Sequence, residues 1–239
     1  MPHEMLTLSK AARHICIPER LILHLALQKE IPCIKRGDQY FFEHRLLDEW
    51  AQLRIMKLSP QNLEELYRDV VAIKSKPLND DHLIESFLNV SQIYPDMQAK
   101  TKPAVIRSMV KAAAATNMLN DEEFLISELT AREEIASTAI GDGAALLHNR
   151  YFDPFIFTDT FIILARTVQP IFFGCQDGGQ TDIFFLICCV NDEMHLHILA
   201  RLCMLIHGTD LLKNLREAET AEEMYAMLQN AEVTLMKSH

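Results

Sequence analysis

The chain is predicted to be an α/β layer protein preceded by a small, mostly helical module. From about residue 81 to 235, apolar runs of strand length alternate with stretches of helical period, the pattern of a sheet covered by helices. Before residue 54, two short helical segments meet at a tight turn and lead into a glycine-centred hairpin. Between these regions lies S-K-P-L-N-D-D, where Pro77 and the turn-forming Asn79-Asp80-Asp81 interrupt both patterns. The expected organisation is therefore a module over residues 1–54, a connecting helix and linker over 55–80, and a larger domain over 81–239.

The 239 residues suffice for a sizeable core, with 49% hydrophobic and 23% charged residues. No apolar run reaches the roughly 18 residues of a spanning helix, and M-P-H-E-M lacks the basic and apolar parts of a signal segment, so a cytoplasmic protein without a membrane partner is expected. Cysteines 16, 33, 175, 188, 189 and 203 show no metal-ligand spacing and are expected to be reduced core residues. A formal charge of −10 disfavours non-specific attraction to nucleic acid and suits a partner with a basic surface.

In the first module, Ser9 is the expected cap of a short helix over 10–14, and Pro18 suits the first turn of a second helix ending near Lys29. Gly37-Asp38 then separates two extended runs, and a last helix is expected over 45–53. The pattern L-T-L-S-K-A-A-x(5)-I-P, followed by I-P-x(3)-R-G and L-x-E-W, resembles the excisionase-type winged helix-turn-helix, with Leu6, Ala11, Ala12, Ile17, Pro32, Gly37, Leu47 and Trp50 at core and turn positions. That resemblance implies a second helix that enters the DNA major groove. Stepping 100° per residue, however, Arg20, Leu23, His24 and Leu27 share the groove-facing side. Residues 1–54 hold eight lysines and arginines against seven acidic residues, a net of +1. Counterion release could draw on little beyond Arg20, Lys35 and Arg36, so a protein contact stands beside DNA as the use of this face, with self-association one form of it.

Ser59-Pro60 opens the expected connecting helix, with Leu63, Leu66, Tyr67, Val70 and Val71 at helical spacing. In the larger domain, helices are expected over 103–118 and 121–134, the latter capped by an Asn120/Glu123 pair. Strands are expected over 144–148, 159–166 and 181–190, and helices near 193–207, 209–217 and 221–230, the last opened by a Thr220/Glu223 capping box.

The candidate chemistry sits at 132–150, R-E-E-I-A-S-T-A-I-G-D-G-A-A-L-L-H-N-R. Gly141 and Gly143 permit positive φ or a close approach to a ligand, and the apolar run 144–147 fixes His148 at a strand end. A neutral imidazole offers one nitrogen lone pair as a nucleophile, although a lone histidine there is ordinarily structural. The segment resembles the phosphorylation motif of phosphotransferase-system enzyme IIA of the fructose/mannitol and nitrogen-regulatory type, approximately R-E-x-x-x-S-T-G-I-G-x-G-x-A-x-P-H. Arg132, Glu133, Ser137, Thr138, Ile140, Gly141, Gly143, Ala145 and His148 match, while Ala139 replaces a glycine and Leu147 a proline. D-E-M-H-L-H-I-L-A-R-L is similar to the family's second histidine segment, its register selecting His195 over His197, and A-E-E-M-Y-A-M-L to its closing helix. P-I-F-F-G-C-Q-D-G-G-Q matches its G-x-x-D-G turn through Gly174, Asp177 and Gly178, with Phe172 where an acidic residue is usual.

The resemblance implies a mixed sheet flanked by helices. It also implies His148 as phosphoryl acceptor, His195 as its neighbour and Arg132 as guanidinium clamp, with no cofactor beyond the phosphoryl group. Without the motif, Arg132 reads as a surface partner of Glu128 four residues earlier. The expected donor is an HPr-like phosphohistidine protein and the expected output a regulatory protein target. Two alternatives stand beside this: a DNA-binding transcriptional regulator whose enzyme IIA-like domain is a sensor, and an interaction module that has lost phosphorylation.

Overall fold

The computed structural model describes residues 4–15, 17–57, 83–149, 155–175 and 177–237. Cys16 and most of the expected connecting helix and linker, from residue 58 to 82, lie outside them. The chain divides into two compact units, Met1–Asn79 and Asp80–His239.

The first unit begins with strand β1, Met5–Thr7, and helix α1, Leu8–His14. Thr7 rather than Ser9 caps α1, its hydroxyl accepting from the Lys10 amide. Helix α2, Glu19–Leu27, starts at Pro18 and buries Ile22, Leu25 and Ala26. Strands β2, Ile34–Arg36, and β3, Gln39–Glu43, pair antiparallel around Gly37, whose φ of 60° explains the glycine. With β1 they form a sheet of order β1-β3-β2, and helix α3, His44–Lys57, follows directly. On α3, the Trp50 indole N–H donates to the Glu30 carbonyl at 2.7 Å.

The second unit is built on a five-stranded mixed sheet of order β4-β7-β8-β6-β5, comprising β4 (Ile93–Met97), β5 (Ala139–Gly141), β6 (Ala144–His148), β7 (Phe161–Ile171) and β8 (Thr181–Cys188). β4 runs parallel to β7 and β6 parallel to β8, whereas β7/β8 and β5/β6 are antiparallel. Helices α4, Lys102–Ala114, and α5, Glu122–Ile135, put Val105, Ile106, Met109, Leu125 and Leu129 into one core with Ala145, Leu147, Ile163, Phe184 and Leu186. The opposite strand parity, Leu146, Ile162, Leu164, Phe185 and Ile187, is also buried. Helices α6 (Asp192–Gly208), α7 (Leu211–Glu217) and α8 (Ala221–Lys237) complete the unit, α6 packing on β8 and α8 on β4.

Several local expectations change. Asp121, not Asn120, caps α5 by accepting from the Phe124 amide, while Asn120 donates to the Phe155 carbonyl. Thr220 caps α8 as expected, but Glu223 accepts from the Glu219 amide one residue further out. The cysteine assignment is corrected too. Cys188, Cys189 and Cys203 are buried, with burial pushing the Cys203 thiol up to about 12, but Cys33 and Cys175 are only half-buried. Among the described residues, no helix is long and apolar enough to cross a membrane.

Candidate functional site

His148 is the last residue of β6, and the strand's side chains are buried along its whole length. Alternation sends Ala145 and Leu147 to the α4/α5 core and leaves His148 on the other face, where α6 lies. Its ring meets that of His195, with centroids 5.1 Å apart and planes inclined at 50°. His195 occupies the first turn of α6, which Asn191 caps by accepting from the Met194 amide at 2.8 Å. His197 is buried as well. The ring packed against His148 is His195, as the sequence register selected.

The His148 imidazole is fully buried at 0% exposure. Its Nδ1 lies 2.7 Å from the Leu146 carbonyl oxygen. A carbonyl only accepts, so Nδ1 carries the proton and Nε2 holds the lone pair. Among the described residues, no hydrogen-bond partner meets Nε2. The ring is held well below the ordinary histidine pKa, first by burial, then by the Arg132 charge and by His195, against an opposing pull from the Leu146 carbonyl. A neutral imidazole with one fixed tautomer and one unengaged lone pair is a nucleophile.

The acidic and hydroxyl residues of the motif form one hydrogen-bonded network. Glu133 accepts from the Thr138 amide and hydroxyl, the latter at 2.7 Å, and from Lys102 Nζ at 3.0 Å. The Thr138 carbonyl in turn receives the Leu146 amide at 3.0 Å, so this network fixes the backbone that orients His148. Ser137 donates to the Phe173 carbonyl, and Lys102 stands 4.8 Å from the Phe173 ring centroid. Arg132, at 2% exposure, donates from Nη1 to the Ala136 carbonyl at 2.9 Å, which rules out the surface-pair reading with Glu128. Lys102 and Phe173 escaped sequence reasoning, because their link to the motif exists only in three dimensions.

The glycine loop does something other than approach a ligand. Gly141 and Gly143 have φ of 97° and 81°, and they turn the β5–β6 hairpin at the end of β6 remote from His148. A Cβ on Gly143 would collide with the Arg216 guanidinium and with Asp182 Oδ1. Arg216 bridges Asp182 and the Asp142 carbonyl there, so the close approach is to the protein's own side chain.

In the first unit, Arg20, Leu23, His24 and Leu27 are exposed along α2, with Leu27 60% exposed, and Lys35 and Arg36 are exposed on β2. Lys35 lies over the Tyr40 ring and Arg36 over the Phe41 ring.

A family model described as phosphoenolpyruvate-dependent sugar phosphotransferase system, EIIA 2, matches residues 86–231. The nitrogen regulatory protein of Bradyrhizobium diazoefficiens is 30% identical over 138 residues, 57% of this chain and 88% of that protein. That of Pseudomonas aeruginosa is 24% identical over 147 residues, 61% and 94% of the two chains. Among solved structures, the nitrogen regulatory protein IIA-Ntr of Neisseria meningitidis superposes with a TM-score of 0.55 at 24% identity, covering 61% of this chain and 98% of that one. The mannitol IIA of Escherichia coli gives 0.52 at 17% identity, with 59% and 98% covered.

Proposed function

Since the chain belongs to the phosphoenolpyruvate-dependent sugar phosphotransferase system EIIA 2 family over residues 86–231, we propose that it is a regulatory phosphoryl carrier. It accepts phosphate on Nε2 of His148 from an HPr-like phosphohistidine protein and acts through a regulatory protein partner. Similarity to nitrogen regulatory proteins favours signalling over sugar transport. The observation that carries the reading is the Nδ1–Leu146 hydrogen bond beneath an unengaged Nε2.

In the transfer, the Nε2 lone pair attacks the donor's phosphorus in line, and the N–P bond to the donor imidazole breaks as the new one forms. The donor ring recovers its lone pair. The Nδ1 proton stays on His148, where the Leu146 carbonyl stabilises the positive charge that the ring acquires. Arg132 supplies fixed positive charge for the phosphoryl oxygens, and His195, in the first turn of α6, orients the ring or donates to the group. Because Nε2 is covered, the donor displaces its cover as it docks.

Incubation with phosphoenolpyruvate, enzyme I and an HPr-like donor should add one acid-labile phosphoryl group by intact mass, and none to His148→Ala. Well-folded Arg132→Ala and His195→Ala should accept it on the order of 10² to 10³ more slowly. Addition to His148→Ala would refute the site assignment. The complete burial of His148 favours a second reading, a partner-binding module without phosphorylation, and a wild type that accepts nothing would select it.

For the first unit, the reading is self-association through α2 rather than DNA recognition, supported by exposed Leu23 and Leu27 and a module charge of only +1.

A further inference from the structure

The first unit gathers two imidazoles and a carboxylate that none of the foregoing uses. His14 closes α1, His44 opens α3, and Asp48 follows one turn later on the same face of α3. His14 Nε2 lies 2.5 Å from Asp48 Oδ1, and His44 Nε2 lies 3.7 Å from Asp48 Oδ2. The two rings are tilted at 59° with centroids 4.4 Å apart. One potential ligand atom from each of the three residues lies within 4.8 Å of the others.

We propose that His14, His44 and Asp48 bind a first-row divalent transition metal ion such as zinc. Imidazole nitrogen together with carboxylate oxygen is a donor set that suits zinc, copper, iron and nickel rather than calcium or magnesium. Ligand atoms at about 2.0–2.2 Å from a tetrahedral zinc stand roughly 3.3 Å apart, so side-chain rotation of about 1 Å brings the observed atoms to that spacing. The side chains are 18%, 27% and 11% exposed, accessible to an entering ion yet largely out of water. The His44 amide donates to the Glu4 carbonyl at 3.0 Å, anchoring the backbone that carries two of the three ligands. Binding takes the place of the His14 Nε2–Asp48 Oδ1 contact, a neutral His14 ring keeping its one proton on Nδ1, and three protein ligands keep a fourth position for water or a partner's side chain. The ion would join the end of α1 to the start of α3, so it would stabilise the first unit.

The test uses the full chain stripped with a chelator and titrated with zinc chloride by calorimetry, with Co2+ absorption as an independent probe of coordination. His148→Ala, His195→Ala serves as background, removing the other histidine pair. One ion should bind to this background, with the first unit's Tm raised on the order of 5 °C under saturating zinc. His14→Ala, His44→Ala should lose the site, and the milder Asp48→Asn, which keeps shape and hydrogen-bonding capacity, should weaken it at least tenfold even if the double variant unfolds the unit. Absence of saturable binding below about 0.1 mM, or full affinity retained in Asp48→Asn, would reduce the cluster to a hydrogen-bonded staple between helices.

Discussion

At His148, burial and tautomer act together, and pH separates them. In the unfolded chain this histidine takes up a proton near its ordinary pKa of about 6.5, whereas in the folded protein it does so only at much lower pH. Between those values the unfolded state binds more protons, so stability falls as pH falls below about 6.5, by up to about 1.4 kcal/mol per pH unit from this one group. Urea unfolding followed by circular dichroism between pH 7.5 and about 5.5 should show a shallower decline in His148→Gln than in the wild type. Parallel curves would mean that the buried ring contributes no linkage. Much of the candidate site was legible at this scale, because its identity lies in side chains: Arg132, His148 and His195 stand at motif positions. What sets the tautomer was not, since the Leu146 acceptor is a backbone carbonyl with no residue signature. Nor was the depth of Arg132, which depends on how α5 packs and not on its spacing from Glu128.

At the scale of elements, long periodic segments were readable and short or interrupted ones were not. β4, Ile-Tyr-Pro-Asp-Met, was missed because Pro95 argues against a strand. Its edge position resolves the conflict, since a proline without an N–H is tolerated where one side of the strand is unpaired. β5 has only three residues and includes Gly141, leaving no alternation to detect. β7 continues to Ile171, beyond the expected end at 166, through a register shift against β8. The packing of α6 and α8 holds one feature that composition also concealed, a buried ion pair. Arg201 donates to Glu232 Oε2 from both Nε and Nη2, and Glu232 Oε1 accepts the Ile84 amide at 2.9 Å. Glu232→Ala should cost about 3–5 kcal/mol by removing the carboxylate paired with a buried guanidinium, while the double replacement Arg201→Met, Glu232→Leu should recover most of it. Urea midpoints for the three proteins decide this, and a single variant within about 0.5 kcal/mol of wild type would refute it.

For the whole molecule, which divides into two compact units, the proposed function assigns donor docking at His148 to one and self-association through α2 to the other. Burying Leu23 and Leu27 between copies would contribute roughly 3–6 kcal/mol of gross transfer energy, whereas on DNA they could only touch thymine methyl groups. Light scattering should therefore show an oligomer that Leu23→Lys, Leu27→Lys converts to a monomer, with little response to salt. A monomeric wild type that binds a defined duplex at nanomolar concentration, and loses it steeply with salt, would instead support the transcriptional regulator.

Trp50, the chain's single tryptophan, lies on α3 with its indole N–H on Glu30 and the Arg54 guanidinium 5.2 Å from its ring centroid. Selectively excited indole emission therefore reports on the first unit alone, with the second spectroscopically dark. Quenching or a red shift can be assigned to one half of the chain without cutting it, and that half's melting can be followed in the intact protein.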